Sequence, residues 1–315
     1  MNGPEIETRR LTKRFGDFTA LDGLDLKLEG AKCVGFLGPN GAGKTTTLKM
    51  LTDMIFPSEG ECFVNGISVQ KERKRALEAA GVLIESPEIY PSLTPNQALE
   101  MIADLRNMSH AERKERIPAV LAEVKMSEWA DKKVGKFSKG MKQRINIAAA
   151  LVHDPEILML DEPATGLDPR GMAEVRSIVR ELKKHDRLIF MSSHILAEVT
   201  DVCDEVALIN HGKLLFYDTL DNVTAKFSHG QISFDASFAR PVPETVLQEK
   251  VASNPDVVKC EQLDPRRYRL YFKGDLPGQA RLLRQLSAPE LGMVSFQESK
   301  SALEEVYLNQ IEKGD

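Results

Sequence analysis

Apolar positions fall into short continuous runs separated by longer stretches of mixed polarity. The runs are Cys33–Leu37, Gly81–Ile84, Ile157–Leu160, Leu188–Met191 and Val206–Ile209. Continuous runs of this length read as strands covered on both faces. Their alternation with helical periodicity predicts a largely parallel sheet and hence an α/β core. Between Tyr90 and Lys136 the strand pattern disappears. There, Thr94-Pro95 reads as an N-cap followed by a first-turn proline, and Ser109-His110-Ala111-Glu112 has capping-box spacing. A helical insert over about 86–137 is expected. After Phe227 a second alternation begins, with strands at Gln231–Phe234, Val257–Gln262, Tyr268–Phe272 and Met293–Gln297 and helices near Glu244–Ala252 and Gln279–Ser287. The order β-α-β-β-α-β is that of a ferredoxin-like α+β unit, which places a domain boundary near 225. A last helix is expected from Ser301-Ala302-Leu303-Glu304, with Leu303, Val306, Tyr307 and Ile311 forming an apolar face that needs a partner.

With 315 residues, two domains are expected at about 150 residues each. Hydrophobic residues make up 42% and charged residues 28%, which excludes collagenous, low-complexity and disordered classes. The longest nearly apolar run, Ile145 to Val152, contains Asn146 and falls well short of the roughly 20 residues that cross a bilayer. Met1–Arg10 is polar with no apolar centre, so no signal peptide is read and a cytoplasmic location is expected. Cys33, Cys62, Cys203 and Cys260 have neither metal-ligand nor disulfide-frame spacing and read as reduced thiols. Basic runs at Lys71–Arg75 and Lys132–Lys142 sit in a chain of net charge −5, so no nucleic-acid partner is expected.

The chemistry begins at Gly38-Pro39-Asn40-Gly41-Ala42-Gly43-Lys44-Thr45, which fits the G-x-x-x-x-G-K-[ST] phosphate-binding pattern. An apolar strand precedes it and a helix starting near Thr46 follows, so backbone N–H groups and a helix N-terminus point at an anion. Lys44 is expected to reach the β- and γ-phosphates of a bound nucleotide, and the Thr45 hydroxyl to coordinate Mg2+. The second element is Ile157-Leu158-Met159-Leu160-Asp161-Glu162, a buried strand ending in two acids. Asp161 is read as holding the Mg2+ shell and Glu162 as the general base for the attacking water.

Phe137-Ser138-Lys139-Gly140-Met141 precedes Asp161-Glu162-Pro163 and Gly166-Leu167-Asp168, with Ser193-His194 downstream. In order and spacing, from about Ile6 to Asp218, the chain resembles the ATP-binding subunit of ABC transporters. The resemblance implies a P-loop core with an antiparallel β subdomain, a Mg2+-dependent ATPase, and a dimer closing around two ATP molecules. It implies that Phe15 stacks on adenine and that Ser138, Gly140 and Asp168 serve ATP held by the opposite subunit. It also implies that His194 contacts the γ-phosphate. The partner it implies is a second copy or a paralogous ATPase. One chain then offers the phosphate loop and base, and the other a helix N-terminus to the same γ-phosphate.

Two positions depart from the family pattern. Its signature reads Leu-Ser-Gly-Gly-Gln, whereas here Lys139 takes the first glycine position. In Leu83-Ile84-Glu85-Ser86-Pro87 a glutamate stands where the family places glutamine, and Glu85 is read as a further Mg2+ ligand. With Tyr90-Pro91-Ser92-Leu93-Thr94 it resembles the bacitracin-resistance type of ABC-2 exporter ATPase, peripheral at the inner membrane face through a separate permease. A soluble ABC-type ATPase acting on a macromolecule such as the ribosome is the alternative. For the C-terminal domain the two readings are a regulatory or dimer-stabilising module and a small-ligand sensor.

Overall fold

The computed structural model describes residues 3–85, 89–223 and 232–298. A unit ending at Leu220 separates from one beginning at Asp221. The boundary expected near 225, Ser86-Pro87, Gln231 and the helix expected from Ser301 lie outside the described residues.

The first unit contains two sheets. β1 (Glu5–Phe15), β2 (Phe18–Glu29), β4 (Glu59–Val64) and β5 (Ile67–Ser68) form an antiparallel sheet in the order β2-β1-β4-β5. The second has the order β10-β9-β3-β8-β7-β6, built from β3 (Lys32–Leu37), β6 (Ala80–Leu83), β7 (Ile157–Leu160), β8 (Leu188–Ser193), β9 (Glu205–Asn210) and β10 (Lys213–Thr219). All neighbours pair parallel except β9 and β10. β7 and β8 are buried at every position, as strands covered on both faces must be. The Phe36 and Phe190 rings meet 5.2 Å apart within a core that also includes Leu11, Leu24, Leu48 and Met159.

The helices are α1 (Lys44–Leu51), α2 (Arg73–Ala76), α3 (Pro95–Leu105), α4 (His110–Glu123), α5 (Lys139–Leu151), α6 (Pro169–Leu182) and α7 (Leu196–Val202). Two reciprocal capping boxes start the insert. Thr94 Oγ1 accepts from Gln97 N at 3.3 Å while Gln97 Oε1 accepts from Thr94 N at 3.0 Å. Ser109 and Glu112 repeat the arrangement at 3.3 and 2.6 Å. Each box satisfies backbone donors that a helix start otherwise leaves orphaned. Cys33 and Cys203, 170 residues apart, bring their sulfurs to 3.6 Å, and all four cysteines are free thiols.

The second unit runs β11 (Ile232–Phe238), α8 (Glu244–Ala252), β12 (Val257–Asp264), β13 (Arg267–Phe272), α9 (Leu276–Leu286) and β14 (Met293–Glu298). Its all-antiparallel sheet has the order β12-β13-β11-β14, the ferredoxin-like arrangement. Burial alternates along β11 and β13, as expected of strands with one covered face. The covered face joins Phe234, Phe238, Leu270 and Phe272 to Leu247 of α8 and Leu282 of α9. Tyr268 belongs to the same core and donates its hydroxyl to Val242 O at 2.6 Å. Among the described residues no helix is long and apolar enough to cross a membrane.

Candidate functional site

The site forms where β3 runs into α1. Gly43 is the N-cap at φ 107°, and a Cβ there would stand 2.7 Å from Ala20 O of β2. At Gly38 a Cβ would stand 2.3 Å from Ile209 O of β9. Only glycine lets the loop lie this close to its neighbours and turn into the helix. No side chain caps α1 and no acid occupies its first turn, so the positive end of the helix faces the site with no carboxylate of its own.

Lys44 is 4% exposed and donates from Nζ to Gly38 O at 2.7 Å and to Pro39 O at 3.0 Å, while Ala42 N donates to Pro39 O at 3.2 Å. Burial pulls the Lys44 ammonium below its ordinary value, opposed by the charges of Glu162 and Asp161. A cleft of about 250 Å³ opens over this loop, lined by Asn40, Gly41, Gly43, Lys44, Thr45 and Thr46 together with Glu162. Its other wall is Ala20, Phe15 and Phe18, the last two paired across the β1–β2 hairpin. Phe15 is half exposed, with the Lys13 ammonium 4.9 Å from its ring centre. The walls thus offer flat aromatic surface at one end and anion-seeking groups at the other.

The two adjacent acids at the end of β7 meet different partners. Asp161 is 9% exposed and accepts from the Thr45 hydroxyl, 2.9 Å from Oδ2, and from the Ser192 hydroxyl, 2.6 Å from Oδ1. Glu162 has left the strand conformation, at φ 43°, a left-handed geometry costing on the order of 1–3 kcal/mol in a non-glycine residue. Its amide donates to Ser192 Oγ at 2.9 Å, and the turn carries its side chain to a different set of partners. Those are Lys44 Nζ at 3.3 Å, the Thr165 hydroxyl at 2.9 Å and His194 Nδ1 at 3.1 Å. Burial works against its ionisation. The Thr165 hydrogen bond, Lys44 and His194 outweigh burial, and the carboxyl sits below its ordinary value. Glu162 is therefore a carboxylate at neutral pH, able to accept a proton.

Glu85 stands elsewhere. At φ 58° its carboxylate pairs with Lys49 of α1 at 2.5 Å and is two-thirds exposed, rather than joining Thr45 and Asp161. Its sequence position beside β6 is as read, but α1 presents a cation that claims the extra charge first.

Ser138, Gly140 and Asp168 do not line the cleft of their own chain. Ser138 is the exposed N-cap of α5, accepting from Met141 N at 3.2 Å. Gly140 is buried where α5 meets α6, and a Cβ there would lie 3.3 Å from the Gly171 Cα. Asp168 caps α6 by accepting from Gly171 N at 2.9 Å. Phe18, Thr165 and Ser192 are site residues that motif reading passed over. The one available signal was Ser192-Ser193, two hydroxyls ending an otherwise apolar strand.

A strand feeding a glycine loop and a helix N-terminus, faced by an acid pair from a parallel neighbouring strand system, defines a P-loop nucleoside triphosphatase. The family model of the ABC transporter matches residues 21–165. The bacitracin transport ATP-binding protein BcrA of Bacillus licheniformis is 40% identical over 232 residues, covering 72% of this chain and 75% of that one. The Nod factor export ATP-binding protein I of Burkholderia lata is 36% identical, covering 85% and 90%. Among solved structures, the ATP-binding subunit of an ABC transporter superposes with a TM-score of 0.63 at 28% identity, covering 70% of this chain and 92% of that one. The chain belongs to the ABC transporter ATP-binding proteins, in the group that includes BcrA. It binds ATP and is an ATPase.

Proposed function

We propose that this ATPase powers export through a separate membrane permease and works as a dimer that shares two ATP molecules between its subunits. The observation that carries its hydrolytic step is the convergence of Lys44, Glu162 and His194 beside Thr45 and Asp161 at the N-terminus of α1. Triphosphate oxygens would replace Glu162 as the partner of Lys44, leaving the carboxylate to accept the proton of the attacking water. Positioned base catalysis of this kind contributes roughly 10² to 10⁴ in rate. Phe15, with Phe18 beside it, offers a face to the base. Ser138 and Gly140, exposed or packed at the start of α5 and away from their own cleft, suit a role toward ATP on the second copy.

Mg2+ fits the donors present. It prefers hard oxygens and is usually held by one or two protein ligands with substrate phosphates and water completing its shell. Thr45 Oγ1 and Asp161 supply that pair. Among the described residues no group of three His, Cys, Asp or Glu side chains forms a fuller cage. Bound there, the ion would neutralise charge on the β- and γ-phosphates. Glu85 adds to this set only after releasing Lys49.

Export is favoured over action on a soluble macromolecule because the relatives carry names of bacitracin transport and Nod factor export. The ferredoxin-like unit is assigned a regulatory or dimer-stabilising role. The test uses Glu162→Gln: it should bind ATP, hydrolyse it at least about 10²-fold more slowly, and elute as a dimer only with ATP. A monomer under those conditions overturns the shared-site reading, and a chain that never co-fractionates with a polytopic membrane protein in its native cell overturns the transport reading.

A further inference from the structure

Residues 192–194, at and just past the end of β8, reach the acid pair and the phosphate loop in succession. Ser192 serves Asp161 and the Glu162 amide, and His194 faces Glu162. Between them, Ser193 is fully buried and its carbonyl accepts from Gly38 N of the phosphate loop at 3.3 Å. Its hydroxyl accepts from Ile195 N at 3.0 Å, closing the turn that carries His194. A hydroxyl has one proton to give, and here it points to Glu198 Oε2 at 2.6 Å, the alternative acceptor, Ile195 O, being farther at 3.3 Å. Glu198 lies in the first turn of α7 and is 1% exposed, and its other oxygen, Oε1, is buried with no hydrogen-bond partner among the described residues. A buried carboxyl group with one orphaned oxygen costs free energy, and an apolar residue of similar size at such a site is often neutral or stabilising. Stability alone therefore does not account for a glutamate at this position.

We propose that Glu198 is a positioning residue for hydrolysis. It holds the Ser193 hydroxyl in the one orientation that accepts from Ile195 N, and so fixes the turn that aims His194 Nδ1 at Glu162. Without it the Ser193 proton turns to Ile195 O and the turn relaxes, and the aim of His194 is lost while the phosphate loop stays in place. The inference deepens the proposed roles of Glu162 and His194 and rests on them.

The full-length chain is tested in a double-mutant cycle of Glu198→Leu and His194→Ala, read as kcat of ATP hydrolysis, ATP affinity and melting temperature. Glu198→Leu should lower kcat about tenfold, leave ATP affinity within about twofold, and leave the melting temperature unchanged or raised. Glu198→Gln, which keeps an acceptor oxygen for Ser193, should retain at least about half of kcat. Added to His194→Ala, Glu198→Leu should cost nothing further, because it acts through the missing imidazole. Losses that multiply, or an unchanged kcat in Glu198→Leu, overturn the proposal. If Glu198→Leu fails to fold, Ser193→Ala takes its place in the cycle, with the same loss of kcat expected and the same two results overturning the proposal. A His194→Ala chain as active as the parent counts instead against the role given to His194 itself.

Discussion

Thr45 Oγ1 and Asp161 Oδ2 stand 2.9 Å apart although 116 residues separate them in the chain. The contact joins the helix after the phosphate loop to the end of β7, and it aligns two hard oxygen donors side by side. Asp161→Asn keeps the shape and removes the charge. It should raise the Mg2+ concentration needed for half-maximal ATPase activity by more than about tenfold, each factor of ten corresponding to about 1.4 kcal/mol. An unchanged Mg2+ titration would remove Asp161 from the metal shell.

Glu85 gives the opposite expectation. Its carboxylate is engaged by Lys49, so the Mg2+ shell proposed on Thr45 and Asp161 does not call on it. Glu85→Gln should shift the Mg2+ titration by less than about threefold. A shift as large as that of Asp161→Asn would mean that the side chain leaves Lys49 and becomes a ligand when nucleotide binds.

Gly38 tests the loop geometry. A Cβ 2.3 Å from Ile209 O meets backbone on β9 and cannot be relieved by a rotamer change. Gly38→Ala should lower stability by on the order of 1–3 kcal/mol in urea unfolding, and weaken ATP binding with it. A variant of parental stability would show that β3 and β9 part more easily than their parallel pairing implies.

His153 should make stability depend on mild acid. Burial, aided by Arg106, pushes its imidazole down to about 4 from an ordinary value of 6.5, with the Ala80 carbonyl opposing. Nε2 lies 3.1 Å from Ala80 O, which selects the tautomer that donates there, and Nδ1 is buried with no hydrogen-bond partner among the described residues. A folded-state value below the unfolded one means that the unfolded chain takes up the proton first. Stability is therefore full above pH 6.5, falls between 6.5 and 4, and levels below 4. The shift sets a ceiling of about 3 kcal/mol, and solvent reaching the half-buried ring reduces this to about 1–2 kcal/mol. His153→Gln, which can still donate to Ala80 O, should flatten urea midpoints measured across that window.

The features legible in the chain are those whose cause is local. The phosphate loop declares itself because glycine spacing and a following helix act over a dozen residues, and the Thr94 and Ser109 caps because each box closes within four. The α/β core followed from continuous apolar runs, and the ferredoxin-like unit from the β-α-β-β-α-β order of its strand and helix stretches. The long β1–β2 hairpin was not read from the pattern. Its inner residues face a core completed by β3, β4 and α1, so its alternation carries bulges and mixed exposure that a single strand does not explain.

What the linear order could not supply is which distant groups neutralise one another. Asp161 and Glu162 are adjacent, yet a left-handed turn at Glu162 sends one to Thr45 and Ser192 and the other to Lys44, Thr165 and His194. Glu85, read as a further Mg2+ ligand, pairs with Lys49 of α1. Glu198 drew no notice, and Ser193 only as the neighbour of His194, because a serine and a glutamate near a helix start are ordinary until burial makes their hydrogen bond decisive. The types of chemistry at the site were thus written in the chain itself. Their allocation among partners was decided in tertiary structure, because charge pairing and burial depend on distances that sequence separation does not encode.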